Sequence, residues 1–177
     1  MRPGKKDPNR TRIKICGTNV CYPGDVGTNT ASLELFKLMI NSVLSIKGSK
    51  YVCFDIENFY LITPLGRPEY VKIQLSKISE EFITEYNLTR LVHKGWIYFE
   101  IRCGCYGLPQ SGMLANKHLI LRLEKKGYYE AITTPGLWRH KWRPIQFCLV
   151  VDDFGVEYVG EQHAEHLATI LKKSQYH

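Results

Sequence analysis

The chain has 177 residues, of which 44% are hydrophobic, which suits one domain with a real core. Lys and Arg number 24 against 17 Asp and Glu, a formal net charge of +7, and no apolar run approaches the length of a bilayer span. This balance excludes a helical membrane protein and favours a polyanionic partner such as nucleic acid. The six cysteines (Cys16, Cys21, Cys53, Cys103, Cys105, Cys148) lack the paired spacing of a zinc site. No secretory signal is recognisable, so a reducing compartment and free thiols are expected, with Cys53 and Cys148 buried in apolar runs.

Residues 1–9 read as a flexible basic leader. Residues 11–16 alternate as a strand does, which places Arg10, Arg12 and Lys14 on one face. Tyr22-Pro23-Gly24-Asp25 predicts a turn. Residues 30–44 carry a helical apolar face, closed by Lys47-Gly48-Ser49. A strand over 51–54 delivers Asp55. Residues 64–68 read as a loop, 70–75 as a strand, 80–87 as a short helix, and 91–102 as a hairpin around Lys94-Gly95. A loop shaped by Gly107, Pro109 and Gly112 leads into a helix over 113–126, with Gly127 as its stop. Strands are expected over 138–142, 145–151 and 154–158, and a helix over 161–173. The pattern is α+β, an antiparallel sheet backed by helices.

The chemistry centres on Asp152-Asp153, two carboxylates between apolar runs. Isolated charges are costly to bury, so the pair lies in an exposed turn or faces a cation. As turn residues they have a purely local reading. Asp55 ends a second apolar run far upstream, where it can also serve as a helix or turn cap. Carboxylates at strand ends can assemble a hard-cation site, and two such cations can activate a 3′-hydroxyl and stabilise a leaving pyrophosphate. Gln110, expected just ahead of a helix N-terminus, is placed to touch an anion or sugar, or simply belongs to a helix-entry loop.

In order, Asp55-x-x-x-Phe59-Tyr60, Tyr106-Gly107-Leu108-Pro109-Gln110-Ser111-Gly112, Thr134-Pro135-Gly136-Leu137-Trp138 and Val150-Val151-Asp152-Asp153 resemble the palm of a reverse transcriptase. The likeness is to LTR-retrotransposon enzymes of the copia-like group, whose basic finger segment is resembled by Arg10 to Gly17. The resemblance implies a reverse-transcriptase-like palm with partial fingers over residues 10–177, cut before the thumb. It implies an RNA-directed DNA polymerase acting by two-metal nucleotidyl transfer, with two Mg2+, or Mn2+ in their place. Asp55, Asp152 and Asp153 would be the catalytic, metal-binding carboxylates, with the peptide carbonyl of Ile56 as a further ligand. Tyr60 would exclude the sugar 2′-hydroxyl, or else is a core tyrosine. Gln110 would contact the incoming nucleotide, and Arg10, Arg12 and Lys14 are the candidates to grip its triphosphate.

The implied partners are a primed RNA or DNA template, deoxynucleoside triphosphates, and the thumb and RNase H regions of a longer polyprotein. The implied setting is intracellular, in a cytoplasmic retrotransposon particle or the nucleus. Val150 stands where the family commonly carries Tyr, which bears on primer handling. The second reading is an inactive remnant that at most binds nucleic acid. His163-x-x-His166 offers two potential metal ligands on a helix, but nothing else in the sequence completes such a site.

Overall fold

The computed structural model describes residues 14–16 and 20–172. The leader and the basic positions 10 and 12 lie outside them. Helix α1 (Leu33–Ser45) opens where Ser32 Oγ accepts the Leu35 amide at 3.2 Å, an N-cap that fixes its start. Strand β1 (Ser49–Asp55) follows at once.

Strands β2 (Pro64–Gln74) and β3 (Trp96–Cys103) form an antiparallel pair of their own. Two expectations fail here. Residues 64–68 are not a separate loop but the irregular start of β2, where the register shifts between Pro64 and Glu69. The hairpin over 91–102 is also not formed as such. Lys94 and Gly95 do make a tight turn, at φ of 51° and 80°, closed by a His93–Trp96 bridge. Beyond that bridge, β3 pairs with β2, because a 3-10 turn at Leu88–Leu91 takes the preceding chain away. Between the two strands lies α2 (Glu80–Glu85), capped by Ser79.

Helix α3 (Pro109–Glu124) begins four residues earlier than the expected start at 113. Pro suits the first helical position, since its missing N–H would be unsatisfied there and its φ is already helical. Strands β4 (Tyr128–Glu130), β5 (Leu137–His140), β6 (Ile145–Val150) and β7 (Asp153–Val159) come next, then α4 (Glu161–Lys172). The three-residue β4 has no sequence signal of its own, and β5 ends before Trp142. These strands and β1 make one antiparallel sheet in the order β1-β7-β6-β5-β4. The fold is α+β, with antiparallel sheets and helices.

Side-chain alternation divides the core between two faces. Phe147, Leu149, Phe154 and Val156 pack with Leu119 and Leu123 of α3 and Leu167 of α4. Cys148 and Leu137 meet Met39 of α1 on the other face. Buried Glu157 lies on this second face. One of its oxygens accepts from Ser42 Oγ (2.9 Å) and Ser49 Oγ (3.2 Å), the other from Gln146 Nε2 (2.6 Å). None of the six cysteines is in a disulfide, and Cys148 is buried as expected, but Cys53 is exposed. β1 is an edge strand, and alternation turns Cys53 away from the main core. No helix among the described residues is long and apolar enough to cross a membrane.

Candidate functional site

β1 and β7 are antiparallel, and their register ends with Asp55 directly opposite Asp153. The β6–β7 hairpin pairs Val150 with Asp153, so only Val151 and Asp152 form its turn. The Ile56 amide donates to the Asp152 carbonyl at 3.2 Å and ties the end of β1 to that turn. Three acidic residues from two distant parts of the chain thus meet at one end of the sheet.

The turn is strained. Val151 has a φ of 60°, a left-handed conformation that Gly adopts freely and a β-branched side chain rarely does. Such a residue costs about 1–3 kcal/mol and persists only where its surroundings hold it.

Burial raises the Asp152 carboxyl above its ordinary range. Repulsion from Asp153 and Asp55 adds to the shift, and a backbone hydrogen bond opposes it. Asp152 therefore senses the other two carboxylates. Among the described residues, however, no group of three His, Cys, Asp or Glu side chains is arranged to hold a metal ion. The oxygens are hard donors of the kind Mg2+ takes, but they do not form a closed ligand set. Asp55 and Ile56 also border a cleft of about 520 Å³ that reaches Leu171 of α4. The Ile56 side chain itself is buried in the core, and Glu57 is exposed.

Tyr60 is half-buried and close enough to Asp152 to feel its charge. Burial raises its hydroxyl pKa most, with Asp152 and Tyr106 adding. Its ring stands edge-on to Tyr106 at 5.3 Å, and a Cβ on Gly112 would lie 3.9 Å from it. The structure thus brings together Tyr60, Asp152 and the loop before α3.

Gln110 does not lie ahead of that helix. It is the second residue of α3, 3% exposed, and its Nε2 donates to Glu69 Oε1 of β2 at 2.9 Å. Its own Oε1 is buried without a hydrogen-bond partner. Sequence reasoning missed Glu69, which falls between the expected loop over 64–68 and strand over 70–75 and carries no signal of its link to α3.

Lys14 is exposed, and the expected strand is absent over the described residues 14–16. Instead the Ile15 amide donates to the Tyr106 carbonyl at 2.7 Å. Gly107, at a φ of 93°, permits this approach, since a Cβ there would lie 1.8 Å from the Ile15 oxygen. Trp138 is core, only 2% exposed.

No protein-family model, curated protein or solved structure matches the chain.

Proposed function

We propose that the chain is a reverse-transcriptase-like palm with part of the fingers, and that it carries the catalytic site of an RNA-directed DNA polymerase of a retrotransposon. The observation that carries this reading is the register of β1 against β7, which sets Asp55 opposite Asp153 with Asp152 in the adjoining turn. Asp55, Asp152 and Asp153, with the Ile56 carbonyl, would hold two Mg2+ or Mn2+, which when bound stabilise the charge on a phosphate attacked by a primer 3′-hydroxyl. The raised Asp152 carboxyl fits a group that has its charge neutralised only in use.

Tyr60 forms the wall beside Asp152, and its ring supplies the bulk that a ribose 2′-hydroxyl would meet. Lys14 is placed near the Tyr106 loop as a point charge for a triphosphate. Gln110 acts mainly by fixing α3 to β2 through Glu69, and its buried Oε1 would meet a nucleotide only if that contact opened. The partners under this reading are a primed template, deoxynucleoside triphosphates and the thumb and RNase H regions of a longer polyprotein.

One observation favours the second reading, an inactive module that binds nucleic acid: the described residues hold no closed metal-ligand group. Primer extension on an RNA template with Mg2+ separates the two. Extension that disappears in Asp152→Asn supports the polymerase. Extension equal in both proteins removes Asp152 from catalysis, and template binding without any extension selects the binding module.

A further inference from the structure

The β2–β3 ribbon has two unlike faces. Its register sets Tyr70 opposite Glu100, Lys72 opposite Tyr98 and Gln74 opposite Trp96, and directly opposed side chains share a face. The face that carries Ile73 and Ile97 turns inward, and Ile97 is only 1% exposed. The other face holds two tyrosines in solvent, Tyr70 at 72% exposed and Tyr98 at 58%. They are diagonal neighbours across the strands, close enough for their rings to act together. Neither makes a ring contact or a side-chain hydrogen bond with another described residue.

A cation stands between the rings. Lys72 follows Tyr70 by two residues and lies across from Tyr98, and its ammonium is held over the Trp96 ring, 4.9 Å from the centroid. It pairs with no carboxylate among the described residues. Glu100, the acid on this face, is taken up by Arg102 at 3.0 Å, which leaves Lys72 as the uncompensated charge. At the tip, Gln74 and Trp96 continue into a cleft of about 580 Å³ whose wall also carries Ser76, Glu80 and Lys94. Donors, an acceptor and a ring are what the edge and the flat face of a base require.

Rings and cation alternate along this face, as bases and phosphates do along a nucleotide strand. A free anion would need several cations at one point, and the face offers one. Side chains on one face recur about every 6.8 Å, twice the 3.4 Å rise of stacked bases, so the rings suit bases that have come apart rather than those of a duplex.

We infer that this face of the ribbon binds single-stranded RNA or DNA, with unpaired bases stacked on Tyr70 and Tyr98, Lys72 against a phosphate between them, and the strand running on towards the tip cleft. Stacking carries most of the affinity, because every base has a flat face and the free cation is single. The site lies on the ribbon alone and stands whether or not the carboxylate cluster is catalytic.

The test measures binding of the full chain to fluorescein-labelled oligothymidylate, oligouridylate and a DNA duplex of the same length, at one salt concentration. Tyr70→Ala and Tyr98→Ala change exposed side chains, so the fold is retained. Each is expected to weaken single-strand binding about tenfold and to leave duplex binding unchanged. Tyr98→Phe keeps the ring and is expected to bind as the parent does. Tighter binding of one oligonucleotide names the strand as RNA or DNA, and equal binding assigns the face to unpaired bases of either kind. A parent that binds no single strand, alanine variants that bind single strands as tightly as the parent, an equal loss of duplex binding, or a Tyr98→Phe as weak as Tyr98→Ala overturns the inference. So does a parent that self-associates in sedimentation while Tyr98→Ala does not, since a second copy would then cover the rings.

Discussion

Asp152 is under two opposed demands. Folding places it half-buried beside Asp55 and Asp153, which disfavours its charge, while the metal-dependent chemistry proposed for it needs that charge. Asp152→Asn is therefore expected to raise the urea midpoint at neutral pH while abolishing primer extension. Mg2+ should raise the melting temperature of the parent protein more than that of the variant, since a ligand stabilises only what it binds. A variant that melts below the parent and gains equally from Mg2+ would show that the carboxylates do not share a site. Tyr60→Ala removes the half-buried ring beside Asp152, and incorporation of ribonucleotides in the same assay should rise about tenfold or more, the scale of one or two kcal/mol of steric exclusion. An unchanged sugar preference would remove Tyr60 from that role.

At the scale of elements, α1 is fastened to the sheet by apolar packing through Met39 and by a polar contact from Ser42 to Glu157. The buried carboxylate accepts from Ser42 of α1, Ser49 of β1 and Gln146 of β6. Glu157→Ala should cost about 2 kcal/mol by urea unfolding, since it leaves donors that water reaches poorly. Amide exchange should quicken in α1 before it does in α3, and equal loss in both helices would deny Glu157 this local role.

The elements also mark what could be read from the chain. The strands around Asp55 and Asp152-Asp153 were legible because apolar runs end at carboxylates, and α4 because its apolar residues recur at helical spacing. The start of β2 was not, because Pro64, Gly66 and Pro68 signal a loop and only pairing with β3 makes them a strand. Nor was the link from Gln110 to Glu69, since cross-chain hydrogen bonds leave no periodicity. The shared location of Asp55 and Asp153 depends on register, which the sequence suggested only through family likeness.

For the whole molecule, acid is the expected weakness. His140 Nδ1 accepts the amides of Trp142 (3.3 Å) and Arg143 (3.2 Å), while Nε2 bonds the Lys126 carbonyl. This arrangement requires the neutral ring. Its pKa lies below the ordinary 6.5, chiefly through burial and then through Arg143, His163 and Lys141, although the Lys126 carbonyl pulls the other way. His166 is lowered too. The unfolded chain thus takes up these protons first, so stability is full above about pH 6.5 and falls as pH drops toward the folded values. Asp152, raised, acts in the opposite sense but only further into the acid range. Thermal melts should be level above about pH 7 and decline by about pH 5, and a level curve across that window would contradict the assignment.

The β1–β7 pairing has a consequence for synthesis. β7 reaches β6 through a two-residue turn, but it reaches β1 only after the chain from 56 to 152 has been made. Closing so long a loop is slow compared with forming a hairpin. On a ribosome that adds about 5–20 residues per second, Asp55 waits roughly 5–20 s before Asp153 exists to face it. A nascent chain therefore carries one of the three carboxylates of its acidic cluster for seconds, and the whole cluster arrives with the strand that completes the sheet.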